Sequence, residues 1–300
     1  MSKVEDLFRI GIALSIMAIA ISCSAETKDS LTRQIADDYV LVWQDEFNHD
    51  GGLDSCWSFE EGFVRNEELQ WYSRDNARVE NGCLVLEALQ ASIPNPNYKP
   101  ASADWKENRD TARYTSACVT TRLSKTFQYG RFEIRAKIPV ARGAWPAIWM
   151  LGNQWDWPMN GEIDILEYYI KNGVPSILAN ACWSSDKKWD AVWNSSVTPY
   201  SHFTEKDSQW ADKFHLWMME WTPEYIKIYL DNELLNDIDL SKTRNQGYDG
   251  NYENPFNTKA KGFGDYLLLN LAVGSNGGIP DDSAFPMRYY IDYVRVYQLK

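Results

Sequence analysis

A stretch of alternating acidic and apolar residues at positions 161–169, Gly-Glu-Ile-Asp-Ile-Leu-Glu-Tyr-Tyr, sets the tightest limit on how this chain can fold. Isoleucine and paired tyrosines favour a β-strand over a helix. Successive side chains of a strand point to opposite faces, so Glu162 and Asp164 share one face while the two isoleucines share the other. The sequence therefore predicts a strand with one acidic and one apolar face.

The third acid of this stretch, Glu167, does not fit strict alternation. In a regular strand Glu167 would turn into the core and Leu166 would lie beside the acids. Because burial of an unpaired carboxylate is costly, we predict a β-bulge at this point. One extra residue returns Glu167 to the acidic face and buries Leu166.

Four tryptophans crowd the acidic stretch in sequence: Trp145, Trp149, Trp155 and Trp157. Aromatic planes beside paired carboxylates suit a sugar, whose apolar C–H face stacks while its hydroxyls take hydrogen bonds. A retaining glycosidase holds its two carboxyl groups about 5–5.5 Å apart, whereas four steps of a flat strand span roughly 13 Å. The chemistry therefore predicts a curved sheet on which two long acidic side chains lean together.

The rest of the chain predicts an all-β fold. From Val40 onward it reads as short strands separated by turns, with no helical period, internal repeat or linker. This favours one two-sheet antiparallel β-sandwich. The net charge of −12 argues against a nucleic-acid partner, and the three histidines lie too far apart for a zinc site.

The motif Gly-Glu-Ile-Asp-Ile-Leu-Glu resembles the active-site strand of glycoside hydrolase family 16 in its bulged, laminarinase-like form, E-x-D-x-x-E. Other parts of the chain, from about Tyr39 to the C-terminus, are similar to further strands of that family. These segments are Trp43–Phe47, Asn66–Tyr72, Tyr129–Pro139, Gly143–Gly152 and Tyr290–Tyr297. The resemblance implies a jelly-roll fold with a concave substrate cleft, and hydrolysis of a β-linked polysaccharide.

The resemblance also implies roles for particular residues. Glu162 would be the nucleophile, Asp164 its helper and Glu167 the general acid/base of a retaining mechanism. The residues expected to bind the sugars are Asn66, Glu68, Trp145 and Trp149, together with Trp183, which directly follows a predicted strand.

No cofactor is expected for this chemistry. A structural calcium is common in the family, and Glu46 and Asp292 are the positions at which we would look for it, although no Asp-x-Asp loop supports the site. The expected partner is a polysaccharide or glycan, and we expect a monomer.

The sequence leaves the substrate open. The first hypothesis is an endo-β-glucanase on β-1,3- or mixed-linkage β-1,3/1,4-glucan. Many β-1,3-glucanases of the family place an arginine where this chain has Cys118, so the alternative is an endo-β-galactosidase on mucin-type or keratan glycans or on galactans. A third hypothesis, a non-catalytic carbohydrate-binding lipoprotein, gives no reason to retain all three acids at bulged spacing.

The N-terminus predicts export. Residues 10–21 form an apolar run that is too short to span a bilayer and follows Lys3 and Arg9, as in a signal peptide. Ala-Ile-Ser-Cys23 resembles a bacterial lipobox, which would make Cys23 the lipidated mature N-terminus; a plain signal peptide is the alternative. We therefore divide the chain into a signal at 1–22, a tether at 23–38 and a catalytic domain at 39–300. We expect a lipoprotein anchored at the bacterial cell surface or in the periplasm.

Four further cysteines, Cys56, Cys83, Cys118 and Cys182, permit two disulfides in an exported protein. Cys83 and Cys118 lie in apolar, strand-like runs, where a free thiol behaves as a small hydrophobe. We expect free thiols, with the pairing left open.

Two long polar loops, at 94–111 and 244–264, are expected either to wall a cleft or to decorate the surface.

Overall fold

A computed structural model describes residues 39–300 of the protein. The predictions for the signal peptide, Cys23 and the tether fall on residues outside this range. The described residues form seventeen strands: β1 Tyr39–Asp45, β2 Ser58–Phe59, β3 Gln70–Tyr72, β4 Ala77–Glu80, β5 Cys83–Pro94, β6 Thr111–Ser116, β7 Cys118–Thr120, β8 Gly130–Lys137, β9 Ala144–Gly152, β10 Glu162–Lys171, β11 Val174–Ser184, β12 Ala191–Pro199, β13 His215–Trp221, β14 Tyr225–Leu230, β15 Glu233–Asp239, β16 Asp265–Val273 and β17 Met287–Leu299.

Helical structure in the described range is limited to short turns. One α-helix, α1, covers Ser201–Thr204. The 3-10 turns are Arg74–Asn76, Trp210–Asp212, Leu240–Lys242, Tyr248–Gly250, Ser275–Gly277 and Asp282–Ala284. Among residues 39–300, no helix has the length and apolar character needed to cross a bilayer.

The strands form two sheets. The ten-stranded sheet has the order β15-β14-β13-β8-β17-β5-β6-β3, with β1 paired to β17 and β4 to β5. The seven-stranded sheet has the order β12-β11-β10-β9-β16-β7-β2. Among the ladders of β2 to β17, the pairing is antiparallel except for the short parallel pairing of β3 with β6. The predicted two-sheet antiparallel sandwich is therefore confirmed.

The apolar residues of both sheets meet in one core between them. In β8, Phe132, Ile134 and Ala136 are buried in this core, as the alternation of the strand predicts. In β16 the whole strand is buried, because alternate residues face the core and a second cluster on the outer face of the seven-stranded sheet. That outer face carries the cleft described below.

The predicted bulge lies in β10. The register of β10 with both neighbouring strands shifts directly after Asp164. Consequently, Ile165 and Leu166 both lie in the core, whereas Glu167 returns to the outer face and is hydrogen-bonded there to Asn180. The bulge thus solves the burial problem that the sequence posed.

Candidate active site

The three acids of β10 lie together on the floor of a cleft. Glu162 accepts a hydrogen bond from the indole N–H of Trp157 at 2.7 Å, and Glu167 accepts one from that of Trp145 at 3.0 Å. Asp164 is buried between them, within hydrogen-bonding reach of Glu162. The bulge and the two indole donors therefore fix the orientation of both glutamates.

The strand starts at a position that requires glycine. Gly161, directly before Glu162, has φ +75°, and a Cβ at this position would come within 2.8 Å of Pro255. Glycine adopts this left-handed conformation without the steric cost of a side chain. The backbone can thus enter β10 tightly against the 244–264 loop, which helps to place Glu162 on the floor of the cleft.

Asn180 of β11 connects two of the acids. Its Nδ2 donates to Asp164 Oδ2 at 3.1 Å and to Glu167 Oε2 at 2.9 Å. Because one amide nitrogen contacts both carboxyl groups, Asp164 and Glu167 are held close together. The sequence analysis did not identify this residue.

Burial, neighbouring charges and hydrogen bonds shift the pKa values of the three acids by different amounts. Burial, and then the charge of Glu162, raise the pKa of Glu167 to about 8. Burial also raises the pKa of Glu162, but hydrogen bonds from Trp157 and Asp164 oppose that shift. Burial and the two glutamates raise the pKa of Asp164 well above its ordinary value. Because its pKa is about 8, Glu167 holds at neutral pH a proton that it can donate. The raised pKa of Asp164 favours the protonated form, which can share its proton with Glu162.

The cleft is a cavity of about 710 Å³, within the size range of ligand sites. Three of the four predicted tryptophans, Trp145, Trp149 and Trp157, line it. Trp149 is held by a hydrogen bond from its indole N–H to Asn270 at 2.8 Å. Trp155 instead packs against Phe263, with ring centroids 5.0 Å apart.

The predicted cleft-edge residues Asn66 and Glu68 also line the cavity. Asn66 donates to one oxygen of Glu68 at 3.3 Å, and Gln70 donates to the other at 2.6 Å. Arg109, from the 94–111 loop, donates to the backbone carbonyls of Glu67 and Glu68. This loop therefore supports the cleft edge from behind.

A guanidinium is present in the cleft, but it comes from Arg65. This side chain lies over the ring of Trp149, 5.0 Å from its centroid, and forms an ion pair with Glu60. Cys118, the position at which the sequence departs from many β-1,3-glucanases of the family, is fully buried in the same cluster as Trp149.

The predicted sugar contact at Trp183 is wrong. Trp183 is buried in the core between the sheets, because alternation along β11 turns it away from the face that carries Asn180. Trp193 on β12, by contrast, lines the cavity and is 45% exposed.

The two acids proposed for calcium, Glu46 and Asp292, are each paired with an arginine. Arg295 contacts both oxygens of Glu46, at 2.6 and 3.0 Å, and Arg135 donates to Asp292 at 2.6 Å. Within residues 39–300 no group of three or more acidic, histidine or cysteine side chains has an arrangement that could hold a metal ion. These side chains do not fit a calcium site built from carboxylates. Cys56, Cys118 and Cys182 are free thiols, as expected.

A two-sheet sandwich with three clustered acids in an aromatic-lined cleft defines a glycoside hydrolase. The model of Glycosyl hydrolases family 16 matches residues 66–261, and the chain belongs to this family. It is 32% identical over 300 residues to the beta-glucanase of Rhodothermus marinus, covering 94% of this chain and 93% of that protein. Two other curated relatives are longer proteins, of which the chain covers only 37% and 38%.

Two solved structures show the same fold. A structure from work on endo-acting O-glycanases, which prominent members of the human gut microbiota express to initiate mucin breakdown, is 38% identical, with a TM-score of 0.76 over 89% of this chain and 93% of that chain. The catalytic domain of the Thermotoga petrophila RKU-1 laminarinase, an endo-1,3-beta-glucanase, is 32% identical, with a TM-score of 0.68 over 88% of this chain and the whole of that chain.

Asn180→Leu should lower turnover and change its pH dependence. Glu167 becomes negatively charged as it gives up its proton in the reaction, and a hydrogen bond to a charged group contributes about 1.5–3 kcal/mol, so kcat should fall roughly ten- to a hundredfold. The amide lowers the pKa of Glu167, so its removal should move the alkaline limb of the kcat/KM profile to higher pH. Rates measured between pH 5 and pH 10 check this, and an alkaline limb that stays in place would refute the assigned contact.

Proposed function

We propose that the protein is a retaining, endo-acting hydrolase of a β-linked polysaccharide. Glu162 attacks the anomeric carbon while Glu167 protonates the leaving oxygen, so the glycosidic bond breaks as a glycosyl-enzyme ester forms. Glu167, now ionised, then removes a proton from water, and the water displaces Glu162. Asp164 hydrogen-bonds Glu162 and supports its departure.

One observation carries this proposal. The bulge places two glutamates on either side of a buried aspartic acid, and the raised pKa of Glu167, about 8, matches a general acid at neutral pH. A non-catalytic carbohydrate-binding protein would not require this arrangement of three acids. Two indole donors and Asn180 hold the acids in a fixed geometry, which is what proton transfer requires.

The retaining step is tested by the configuration of the first product. Proton NMR during the first minutes of hydrolysis should show the β-anomer of the newly formed reducing end, before mutarotation. Release of the α-anomer would mean direct attack by water and would remove Glu162 from the role of nucleophile.

The first substrate to test is β-1,3- or mixed-linkage β-1,3/1,4-glucan. Beta-glucanase and laminarinase relatives match along nearly the whole chain, and Trp145 and Trp149 line the cleft as they would for stacked glucosyl rings. On this proposal Asn66 and Glu68 hydrogen-bond the donor-side sugars.

A second candidate, an endo-β-galactosidase on mucin-type or keratan glycans, is favoured by two observations. The structural neighbour from the mucin O-glycanase study has the higher identity and TM-score of the two described above. The guanidinium over Trp149 comes from Arg65, with Cys118 buried beside it, so the donor-side wall departs from the glucanase pattern. An axial O4 needs different hydrogen-bond partners from an equatorial one.

A side-by-side digestion separates the two candidates. Laminarin, barley mixed-linkage glucan, agarose, keratan sulfate and mucin O-glycans would each be incubated with the enzyme, and the products sized by chromatography. Internal cutting gives a ladder of intermediate oligosaccharides. Glucan ladders with intact galactosides support the first candidate, and the reverse pattern supports the second.

We also propose that residues 1–22 direct export and that Cys23 carries a lipid anchor, on the lipobox-like sequence alone. Metabolic labelling with an alkyne fatty acid should mark the full chain and leave Cys23→Ala unlabelled. A labelled Cys23→Ala chain would show that the lipid is attached elsewhere.

A further inference from the structure

The cleft face of the seven-stranded sheet continues beyond Asn180 onto the next strand. In the register of β11 with β12, Asn180 is opposite Ser195 and Cys182 is opposite Trp193. Trp193 and Ser195 are two residues apart, so they share the face on which Asn180 contacts the acids. Both line the same cavity as Glu162 and Glu167.

The orientation of Trp193 is fixed by its neighbour in β12. Asn194 accepts a hydrogen bond at 3.1 Å from Asn236, a residue of β15 in the other sheet, and Asn236 also donates to the backbone of Ala179 at 2.9 Å. Asn194 therefore faces the sheet interface, and Trp193 must face the cleft. The large side chain of Trp193 is 45% exposed on the cleft face, whereas the next residue along β12, Asn194, faces the interface between the sheets.

The position of Trp193 relative to the acids fits a glycan. Two strand spacings separate β12 from β10, or about 10 Å, which is roughly the length of a disaccharide unit. Trp145 and Trp149 lie on β9, on the opposite side of the acids. In the proposed function the donor-side sugars lie against Trp149 of β9. Trp193, on the other side of the acids, therefore lies where the part of the glycan beyond the scissile bond must run.

We propose that Trp193 is the stacking platform of an acceptor-side subsite, which binds a pyranose ring one or two units beyond the scissile bond, with Ser195 beside it. This inference rests on the proposed hydrolysis. Its ligand is a β-linked glycan that presents a C–H face to the indole. The subsite would make the enzyme prefer long substrates that extend past the cleavage point.

The hairpin between β11 and β12 offers a matched control. Trp189 is 56% exposed near its tip, with the ammonium of Lys188 5.3 Å from its ring centroid. Trp189 does not line the cavity. Trp189→Ala therefore removes an exposed indole from the same hairpin without touching the proposed subsite.

The test compares Trp193→Ala, Trp193→Phe and Trp189→Ala on two substrates. One is the polysaccharide that the wild-type enzyme cuts fastest in the digestion panel. The other is a nitrophenyl β-glycoside of the same donor sugars, which has no sugar on the acceptor side. Circular dichroism and thermal midpoints would establish that each variant is folded.

Trp193→Ala should lose about tenfold more kcat/KM on the polysaccharide than on the nitrophenyl glycoside, the usual size of an aromatic stacking contribution. Trp193→Phe should recover most of this loss, and Trp189→Ala should match the wild type on both substrates. Equal losses by Trp193→Ala on the two substrates, or none on either, would overturn the subsite. An inactive wild-type enzyme would instead overturn the proposed hydrolysis.

Discussion

Glu162→Gln should abolish turnover, with kcat falling by about ten-thousandfold or more, while glycan binding persists. Glutamine keeps the shape of the side chain and can still accept the hydrogen bond from Trp157, but it cannot form the glycosyl ester. Turnover would be followed by reducing-end release, and binding by calorimetry with an oligosaccharide. Because the indole walls remain intact, the dissociation constant should change little.

Two controls make this result specific to the nucleophile. Glu205→Gln makes the same chemical change at an exposed acid beside α1 and should leave turnover intact. In Glu162→Ala, added azide can occupy the vacated space and attack the anomeric carbon directly, so an activated aryl glycoside should yield the α-glycosyl azide. A fully active Glu162→Gln enzyme, or a β-azide from Glu162→Ala, would end the assignment.

The bulge could be predicted from the sequence because two physical requirements conflicted there. Period-two alternation placed Glu167 in the core, and the cost of a buried carboxylate is larger than the cost of one extra residue. The resemblance to the family then gave the roles of the acids. The observed register shift after Asp164 is the outcome that these requirements dictate.

Trp183 was misplaced because β11 offers little contrast between its two faces. Residues 177–183, Ile-Leu-Ala-Asn-Ala-Cys-Trp, are apolar at every position but one, so the phase of the alternation is hard to read, and a shift by one residue exchanges the faces. Asn180 was the available signal. A lone amide next to the acidic strand marks the cleft face, which turns Cys182 to the cleft and Trp183 to the core.

Arg65 could not have been placed by pattern at all. Its guanidinium lies over Trp149, a residue more than eighty positions later in the chain, and its position depends on how the cleft-edge segment is held by Arg109. Contacts of this kind come from the packing of loops on a sheet, and the alternation of residues along a strand does not predict them. The same holds for the indole donors that orient the two glutamates.

Glu167→Ala should lower kcat/KM on the polysaccharide by roughly a hundred- to ten-thousandfold, the usual contribution of a general acid/base. The loss should depend on the leaving group. A dinitrophenyl glycoside departs without a proton, so its first step should be nearly spared, and the glycosyl-enzyme should accumulate because no base activates water. Azide needs no base and should restore turnover, giving the β-glycosyl azide.

The pH profile gives an independent test of the same residue. In the wild type, kcat/KM should decline as pH rises through about 8, because Glu167 then loses the proton that it must donate. Activity should also decline in acid, where Glu162 becomes protonated. With the dinitrophenyl glycoside, Glu167→Ala should keep the acid limb and lose the alkaline one. If the alkaline limb persisted in the variant, another group would hold the catalytic proton and Glu167 would be only a neighbour of the nucleophile.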